Sequence, residues 1–319
     1  MGSTQPGTIT KVLLVGANGT LGSALLTALV EAECFQVSIL LRSVDPPPRA
    51  DIAAAAARIG VSPSMNVDEL VTACTGQDAV IAAFQIHDIS HHLNLAEASF
   101  IAGVRRFVPA DFGSCESWNP VAQRHFPMYG KKTVLRNKYE ELAQRAIDEG
   151  KPFTWTSIVN GHFFDYGLED KLLHFDLDTH VARILDGGNI RASTSTLRRV
   201  SEAVVRVLQR CDETRNRALY IQSFCPTQLE VLAALERATG TKWRTEHLES
   251  QQYLKENGEL LTTDYHKASF GIVFVLGTMD ADWTRRDGFA MELLGLEDED
   301  LDRVVAAVVA KKKGNVNAT

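Results

Sequence analysis

Long apolar stretches are missing from this 319-residue sequence, and aromatic residues make up only 8% of it. No run approaches the roughly 20 consecutive apolar residues that a membrane-spanning helix needs. The opening decapeptide, MGSTQPGTIT, is too polar for a secretory signal. We therefore expect a cytoplasmic protein that has no membrane partner.

Clustered cysteine and an excess of positive charge are absent as well. The cysteines, at positions 34, 74, 115, 211 and 225, form no CxxC pair, which favours free thiols over a disulfide framework or a cysteine zinc site. The net charge is −7 at pH 7, so we expect no nucleic-acid partner. His87, His91 and His92 are loosely spaced and have no evident carboxylate or cysteine partner. We expect them to lie in a solvated loop that holds no metal.

Short apolar runs alternate with helical patterns over the first half of the chain. The predicted strands are KVLLVG, FQVSILL, DAVIAAF, the start of RRFVPADFG, and FTWTSIVN. The predicted helices between them are Leu21–Ala32, DIAAAAARI, VDELVTAC, Leu93–Ala102 and Met128–Glu149. Strands that are apolar along their whole length are typical of a parallel sheet covered on both faces. The pattern predicts an α/β protein with a Rossmann-type doubly wound parallel sheet.

The character of the sequence changes after Gly161, where an aromatic-rich stretch shows no clean periodicity. We place a dinucleotide-binding domain at residues 1–160 and a smaller, mixed α/β substrate-binding lobe at residues 161–319. The strand pattern near residues 218–223 is expected to return to the first sheet. Helices are predicted over Leu197–Gln209 and Gln228–Thr239, with Thr196 and Thr227 as N-caps.

Three glycines with GxxGxxG spacing follow the first strand and open the first helix. Gly16 would allow a tight turn, Gly19 would let the backbone approach a pyrophosphate, and Gly22 would let the helix pack on the strand. Taken alone, the motif is a weak signal, and a simple tight turn is the alternative. Its position between a strand and a helix favours a dinucleotide loop. The expected cofactor contacts here are Gly16, Asn18, Gly19, Thr20, Leu21 and Gly22.

The end of the second predicted strand indicates which dinucleotide is bound. Arg42 and Ser43 stand where an NAD enzyme would place the acid that holds the ribose 2′-hydroxyl. Arginine matches a 2′-phosphate in charge and can stack on adenine. Asp45 could serve as the acid, but it precedes three prolines and is more typical of a turn. We therefore expect NADP or NADPH as the cofactor.

Several stretches of the chain resemble the NmrA-like, isoflavone-reductase-like family, an atypical branch of the short-chain dehydrogenases and reductases. The stretches that carry the resemblance are LLVGANGTLG, LLRS, GVRRFVPADFG, FTWTSIVNGHFFDYGL, ILDGGN and YIQSF, so it extends over about residues 10–305. The sequence is similar to fungal aromatic alcohol reductase-like members and to plant phenylcoumaran benzylic ether and pinoresinol-lariciresinol reductases. It departs from the family where Ala110 and Asp111 replace Ser-Glu, and in the FQIHDISHH segment.

The resemblance implies a catalytic general acid or base, a lysine on the helix that follows the FG loop. Tyr129, Leu135 and Arg136 fit the family pattern best around Lys132, which we also expect to contact the cofactor. Lys131 and Lys138 are the alternatives, and all three could instead be solvated helix lysines. No Tyr-x-x-x-Lys pair of the usual short-chain type is present in this stretch.

Other candidate site residues follow the ends of the predicted strands, where parallel sheets bind ligands. Phe84, Gln85 and Asn160 are expected to contact the cofactor. His162 could donate a proton or line a substrate pocket, or it could be a packed loop histidine. Further candidates for the substrate pocket are Phe112, Phe163, Phe164 and Tyr166, for which core packing is the alternative.

Together these features predict an NADPH-dependent reductase that transfers hydride to a small aromatic or phenolic substrate in secondary metabolism. The alternative is a non-catalytic, NADP-sensing regulator that binds a protein partner, as NmrA itself does in this family. The glycine motif is common to both. We expect a monomer or a homodimer.

Overall fold

The structure, a computed structural model, describes residues 8–43 and 49–316, with side chains to residue 314. The chain forms two compact units. The first unit comprises the described residues up to Asp111, together with Lys131–Ile158 and Val200–Leu219. The second unit comprises Phe112–Gly130, Val159–Arg199 and the described residues from Tyr220 onward.

Strands and helices alternate through most of the described chain. The strands are β1 (Lys11–Val15), β2 (Gln36–Leu41), β3 (Arg58–Val61), β4 (Ala79–Ala82), β5 (Arg106–Val108), β6 (Thr154–Val159), β7 (His162–Phe163), β8 (Phe175–Asp176), β9 (Val181–Leu185), β10 (Thr194–Ser195), β11 (Arg217–Tyr220) and β12 (Arg244–Leu248). The α-helices are α1 (Thr20–Glu31), α2 (Ala50–Ala55), α3 (Val67–Cys74), α4 (Ile89–Ile101), α5 (Pro120–His125), α6 (Pro127–Glu149), α7 (Phe164–Glu169), α8 (Leu197–Gln209), α9 (Gln228–Thr239), α10 (Ser250–Leu260), α11 (Tyr265–Met279), α12 (Met291–Leu294) and α13 (Leu301–Val316). Among these helices none is both long and apolar enough to cross a membrane.

The large sheet has the strand order β11-β6-β5-β4-β1-β2-β3. The pairs from β3 across to β6 are parallel; Leu13, for example, is in register with Ser38 on one side and Val80 on the other. The order 3-2-1-4-5-6 is that of a doubly wound dinucleotide-binding sheet, in which the connections reverse direction between β1 and β4. The predicted Rossmann-type fold is confirmed.

Both faces of the sheet are buried because successive side chains of β1 point to opposite faces and both sets are apolar. Leu13 and Val15 pack into one core with residues of α3, α4 and α6. Val12 and Leu14 are fully buried on the opposite face. This double burial explains the uninterrupted apolar strands in the sequence.

Arg106 in β5 ties this part of the sheet together although it is fully buried. Its guanidinium donates hydrogen bonds to the hydroxyls of Thr154, Thr156 and Thr214, at 3.1, 2.6 and 2.8 Å, and to the main-chain oxygen of Cys211. Burial lowers the pKa of Arg106. These bonds join β5 to β6 and to the segment before β11, and so fix the strand that leads into the candidate site.

Two short elements differ from the sequence-based expectation. The Ala-rich stretch DIAAAAARI was expected to be one helix, but α2 ends at Ala55 and Ala56 takes an extended conformation. The chain then pairs with β2, where Arg58 is in register with Ser38. Tertiary pairing thus overrides the helix propensity of alanine at this edge. Helix α5, capped by the Asn119 side chain, was also not predicted.

The second unit contains the two-stranded pair β10-β7 and the three-stranded sheet β12-β9-β8. Its core includes residues of α7, α9, α11 and α13. Helices α8 and α9 begin and end where the sequence predicts. A capping box forms at Thr227: its hydroxyl accepts a hydrogen bond from the main-chain amide of Glu230, and its own main-chain amide donates to the Glu230 carboxylate.

Candidate active site

The predicted cofactor residues of the first unit follow the carboxyl ends of neighbouring strands. Gly16 follows β1, Arg42 follows β2, and Phe84 follows β4. Asp111 comes shortly after β5. Because these four strands are adjacent and parallel, the residues gather at one edge of the sheet, beside the reversal in strand order. Ligands of open α/β sheets bind at this position.

Main chain packs closely against main chain in the glycine loop. Gly16 has a φ of +96°, a conformation that favours glycine. A Cβ atom added at Gly16 would overlap the main-chain oxygen of Ala83, and one added at Gly22 would overlap the main-chain oxygen of Gly16. Gly19 donates a 3.0 Å hydrogen bond to that same Gly16 oxygen. The loop therefore has no room for side chains at Gly16 and Gly22, which meets the steric demand of a dinucleotide loop.

The amino terminus of α1 has the features of an anion-binding helix end. Its N-cap, Gly19, offers no side-chain hydrogen bond, and the first turn holds no acidic residue. Helices α3 and α9, by contrast, are capped by Asn66 and Thr227. The positive end of the α1 dipole and its first amides are suited to a phosphate group. Asn18 and Thr20 are exposed here, and Leu21 is half-buried.

Arg42 and Ser43 are both exposed, immediately after β2. The charge of Arg42 is therefore available to a phosphate at this edge of the sheet. Asp45, the alternative acidic residue, lies outside the described residues.

Phe84 and Gln85 meet a buried histidine. The rings of Phe84 and His92 are stacked, with centroids 4.0 Å apart and planes 14° from parallel. Nε2 of His92 lies 3.3 Å from the main-chain oxygen of Gln85, so this nitrogen carries the hydrogen and donates it. Burial lowers the pKa of His92 to about 4, and the nearby Lys132 charge acts in the same direction. His92 is therefore neutral at pH 7.

The expectation of a solvated loop is wrong for His91 and His92. Both belong to α4, which the side chain of Asp88 caps through the main chain of Ser90. His92 is only 1% exposed, because it points from this helix toward Phe84. The described residues contain no group of three or more His, Cys, Asp or Glu arranged to hold a metal.

The three candidate lysines occupy different surroundings. Lys131 is exposed and donates a 3.2 Å hydrogen bond to the main-chain oxygen of His87. Lys138 forms ion pairs with Glu97 and Glu141, at 3.0 and 2.9 Å. Burial lowers the pKa of Lys138, but these two carboxylates outweigh it and raise the pKa.

Lys132 alone among the three is buried, with 7% of its surface exposed. Its Nζ donates a hydrogen bond to the main-chain oxygen of Asp111 and lies 3.6 Å from the Asp111 carboxylate. The ammonium group is thus held at the end of β5, at the same sheet edge as the glycine loop.

Asp111 is a site residue to which sequence reasoning gave no role. It is 5% exposed, and its Oδ2 accepts from Nε of Arg136 at 2.7 Å and lies 2.6 Å from Nη2. Burial alone would raise the pKa of this carboxyl, but the charges of Arg136 and Lys132 and the Ser157 hydroxyl hold it below its usual range. The sequence does contain a signal for this role. Asp111 stands where the family has the Glu of its Ser-Glu pair, so the acid is kept although its side chain is shorter.

Asn160 and Phe112 belong to the second unit. Asn160 is fully buried and its Nδ2 donates a 2.9 Å hydrogen bond to the main-chain oxygen of Gly161. Its Oδ1 has no hydrogen-bond partner within the described protein. Phe112 is half-buried and has a φ of +26°, which for a residue with a side chain costs on the order of 1–3 kcal/mol.

His162 is packed against α11. Its Nε2 lies 3.2 Å from the main-chain oxygen of Val273, and its ring stacks on Phe274 with centroids 6.0 Å apart. Burial lowers the pKa of His162 to about 4. A carbonyl only accepts, so Nε2 holds a hydrogen, and the lowered pKa leaves the ring neutral at pH 7. This geometry favours the packed alternative over proton donation.

The predicted aromatic residues differ in burial. Phe164 lies in the core of the second unit, edge-on to Phe224 with ring centroids 4.8 Å apart. Phe163 and Tyr166 are half-buried, so part of each ring remains accessible. Burial raises the pKa of Tyr166, and Asp170 adds to the effect.

The chain belongs to the NmrA-like family, whose model matches residues 8–284. Two fungal relatives are named oxidoreductases. AprR of Aspergillus flavus is 30% identical over 305 residues, which cover 94% of this chain and 98% of the relative. PoxI of Penicillium oxalicum is 30% identical over 306 residues, 92% of each chain. The family resemblance seen in the sequence is confirmed.

Solved structures of plant reductases have the same fold. A structure described as AtPrR2 with NADP+ and (+)-pinoresinol has a TM-score of 0.76 and 20% identity, covering 95% of this chain and 99% of the other. The leucoanthocyanidin reductase–NADPH complex from Vitis vinifera has a TM-score of 0.74 and 17% identity, covering 94% and 99%. At these identities the likeness establishes the shared fold.

The glycine loop gives a first prediction. Gly22→Ala places a methyl group on the main-chain oxygen of Gly16, so the loop must open. We expect the NADPH dissociation constant, measured by fluorescence titration, to rise at least tenfold because the loop amides shift. Gly258→Ala in α10, where an added Cβ meets nothing within 4 Å, is the matched control and should bind as the parent does. Parental NADPH affinity in Gly22→Ala would contradict the assignment of this loop.

Two half-buried histidines of the second unit give a second prediction. Burial lowers the pKa of His162 to about 4 and that of His174 to about 3, both below the ordinary 6.5. Their contribution is complete above pH 6.5 and declines as the pH falls toward these values, since the unfolded chain binds the protons first. From pH 7 to 5.5 we expect each to reduce the free energy of unfolding by about 1 kcal/mol.

Urea unfolding at the two pH values measures this loss. The double variant His162→Gln, His174→Gln should depend less on pH than the parent, whereas His247→Gln, at an exposed position, should leave the dependence unchanged. An identical pH dependence in the double variant and the parent would show that these rings are not held neutral.

Proposed function

We propose that this protein is an NADPH-dependent reductase of a small aromatic or phenolic substrate, with a role in secondary metabolism. The class of enzyme is supported by relatives named oxidoreductases and by solved complexes of reductases with NADP+ or NADPH. The substrate class is supported by relatives named isoeugenol synthase and pinoresinol reductase, 24% and 26% identical, since isoeugenol and pinoresinol are phenols.

The residues at the sheet edge fit NADPH. The tightly packed glycine loop and the amino terminus of α1, which has no side-chain cap, would hold the pyrophosphate. Arg42 and Ser43 would hold the 2′-phosphate. Phe84 and Gln85 follow the end of β4, and Asn160 would offer its unpaired Oδ1 to a hydrogen-bond donor. The bound cofactor would supply the hydride.

Lys132 is our choice for the proton-transfer group, and its burial is the observation that carries the proposal. A buried ammonium is costly unless it is paired. Lys131 is exposed and carries no such cost, and Lys138 is half-buried and paired with Glu97 and Glu141. Held by the main-chain oxygen of Asp111, Lys132 would keep a proton on Nζ and give it to a substrate oxygen.

We assign substrate contacts to the aromatic candidate residues of the second unit. The partly accessible side chains of Phe112, Phe163 and Tyr166 are suited to an aromatic ring. His162 would line such a site as a neutral, packed ring, and Phe164 would support it from the core.

The role of Arg42 is tested by cofactor preference. Arg42→Gln removes the charge that would pair with the 2′-phosphate, and charge-assisted hydrogen bonds are worth about 1.5–3 kcal/mol. We expect the NADPH dissociation constant to rise roughly tenfold or more while that of NADH changes little. Arg217→Gln is the control, because Arg217 is exposed in β11, the outermost strand on the far side of the sheet from β2 and β3. A parent protein that prefers NADH would refute this role.

The role of Lys132 is tested by turnover. NADPH consumption is followed over a panel of aromatic aldehydes, ketones and benzylic ethers. Lys132→Met should lower the turnover number about 10²- to 10⁴-fold, the usual contribution of a positioned acid, with NADPH affinity within a few-fold of the parent. Lys131→Met and Lys138→Met test the two alternatives, and Lys255→Met in α10 is the surface control.

The outcomes separate the enzyme from the regulator. Full turnover in Lys132→Met would show that Lys132 is not the proton donor. The role would then be assigned to Lys131 or Lys138, according to which substitution abolishes turnover. A parent that binds NADPH but consumes it with none of these substrates would instead support the NADP-sensing regulator.

A further inference from the structure

Two cations of α6 converge on one acid. Lys132 and Arg136 are four residues apart, so they lie on the same face of the helix. Both are at least nine-tenths buried, as is Asp111. Oδ2 of Asp111 is bonded by Arg136, whereas Oδ1 lies on the Lys132 side at 3.6 Å.

The position of Asp111 is set mainly by groups other than Lys132. Arg136 binds its carboxylate through two nitrogens, at 2.7 and 2.6 Å. The main-chain amide of Asp111 donates a 2.8 Å hydrogen bond to the main-chain oxygen of Pro109. These bonds leave the main-chain oxygen of Asp111 fixed, and Lys132 donates to that oxygen.

We propose that Asp111 is the positioning residue of the candidate site, held by Arg136, and that it keeps the Lys132 ammonium both charged and directed. Its main-chain oxygen sets where Nζ sits, and its carboxylate offsets the repulsion between Lys132 and Arg136. Arg136 therefore has two opposing effects, since it anchors the acid and repels the neighbouring cation.

Other titratable groups near Lys132 do not supply the negative charge. His92 on α4 is neutral at pH 7, since its pKa is about 4. Tyr139 on α6 is neutral because burial raises the pKa of its phenol. Among these neighbours, Asp111 is therefore the group that supplies a negative charge. Its substitution should change the pKa of Lys132.

The experiment measures the protonation of Lys132 directly, without substrate. In protein selectively labelled with [¹³Cε, ¹⁵Nζ]lysine, the Lys132 resonance is assigned by its disappearance in Lys132→Arg and followed by NMR against pH. Asp111→Asn should lower the titration midpoint by about 1–2 pH units, because two buried cations then lack their shared anion. Asp111→Glu, which keeps the charge, should restore most of the difference.

A second variant gives the opposite sign. Arg136→Gln removes the repelling cation and frees the carboxylate for Lys132, so the midpoint should rise. Lys138, paired with Glu97 and Glu141, is the internal reference and should titrate alike in all variants. If Asp111→Asn does not fold by circular dichroism, Arg136→Gln and Asp111→Glu carry the test. An unchanged Lys132 midpoint in folded Asp111→Asn or in folded Arg136→Gln would overturn the proposal.

The inference rests on the proposed function only for the use made of the proton. With a working substrate, Asp111→Asn should lower the turnover number and shift the pH–rate profile to lower pH, while the Michaelis constant changes less. If the parent has no reductase activity, the proposed function fails, but the NMR titration still decides the role of Asp111.

Discussion

The buried carboxylate of Asp111 constrains the rest of the site. An unpaired carboxylate at the end of β5 would cost several kcal/mol, so α6 must turn the face that carries Lys132 and Arg136 toward it. The same rotation places Leu135 and Tyr139 in the sheet core, since Lys132, Leu135, Arg136 and Tyr139 follow helical spacing and all are buried. One helix face thus supplies both core packing and charge.

Much of the fold follows from sequence because the signals are local. Continuous apolar runs predict buried parallel strands, and threonine caps with helical periodicity predict α8 and α9. The errors occur where pairing or burial between distant segments decides the structure. The alanine-rich stretch before Arg58 has a high helix propensity, yet the residues from Arg58 onward pair with β2 and form a strand. The sequence predicts a loop position for His92, but the residue lies in α4 and its ring is buried against that of Phe84, which only the folded structure shows.

The candidate site was only partly predictable, for a related reason. The glycine loop depends on main-chain geometry, and only glycine meets it at Gly16 and Gly22, so residue type alone indicates the turn. Residue type cannot separate Lys131 from Lys132, because the difference lies in how α6 is rotated about its axis. Asp111 was missed because its importance comes from partners on another element, and those partners are visible only in three dimensions.

The cost of burying charge bears on whether the dinucleotide is consumed or only sensed. A sensing protein needs the glycine loop, the start of α1 and Arg42, all of which bind without ionisable groups in the interior. It gains nothing from a lysine that is 7% exposed beside an aspartate that is 5% exposed, since an apolar set of similar volume would be as stable or more so. An enzyme that must deliver a proton at neutral pH gains a fixed, charged donor. The buried Lys132–Asp111–Arg136 cluster therefore argues for chemistry at this edge of the sheet.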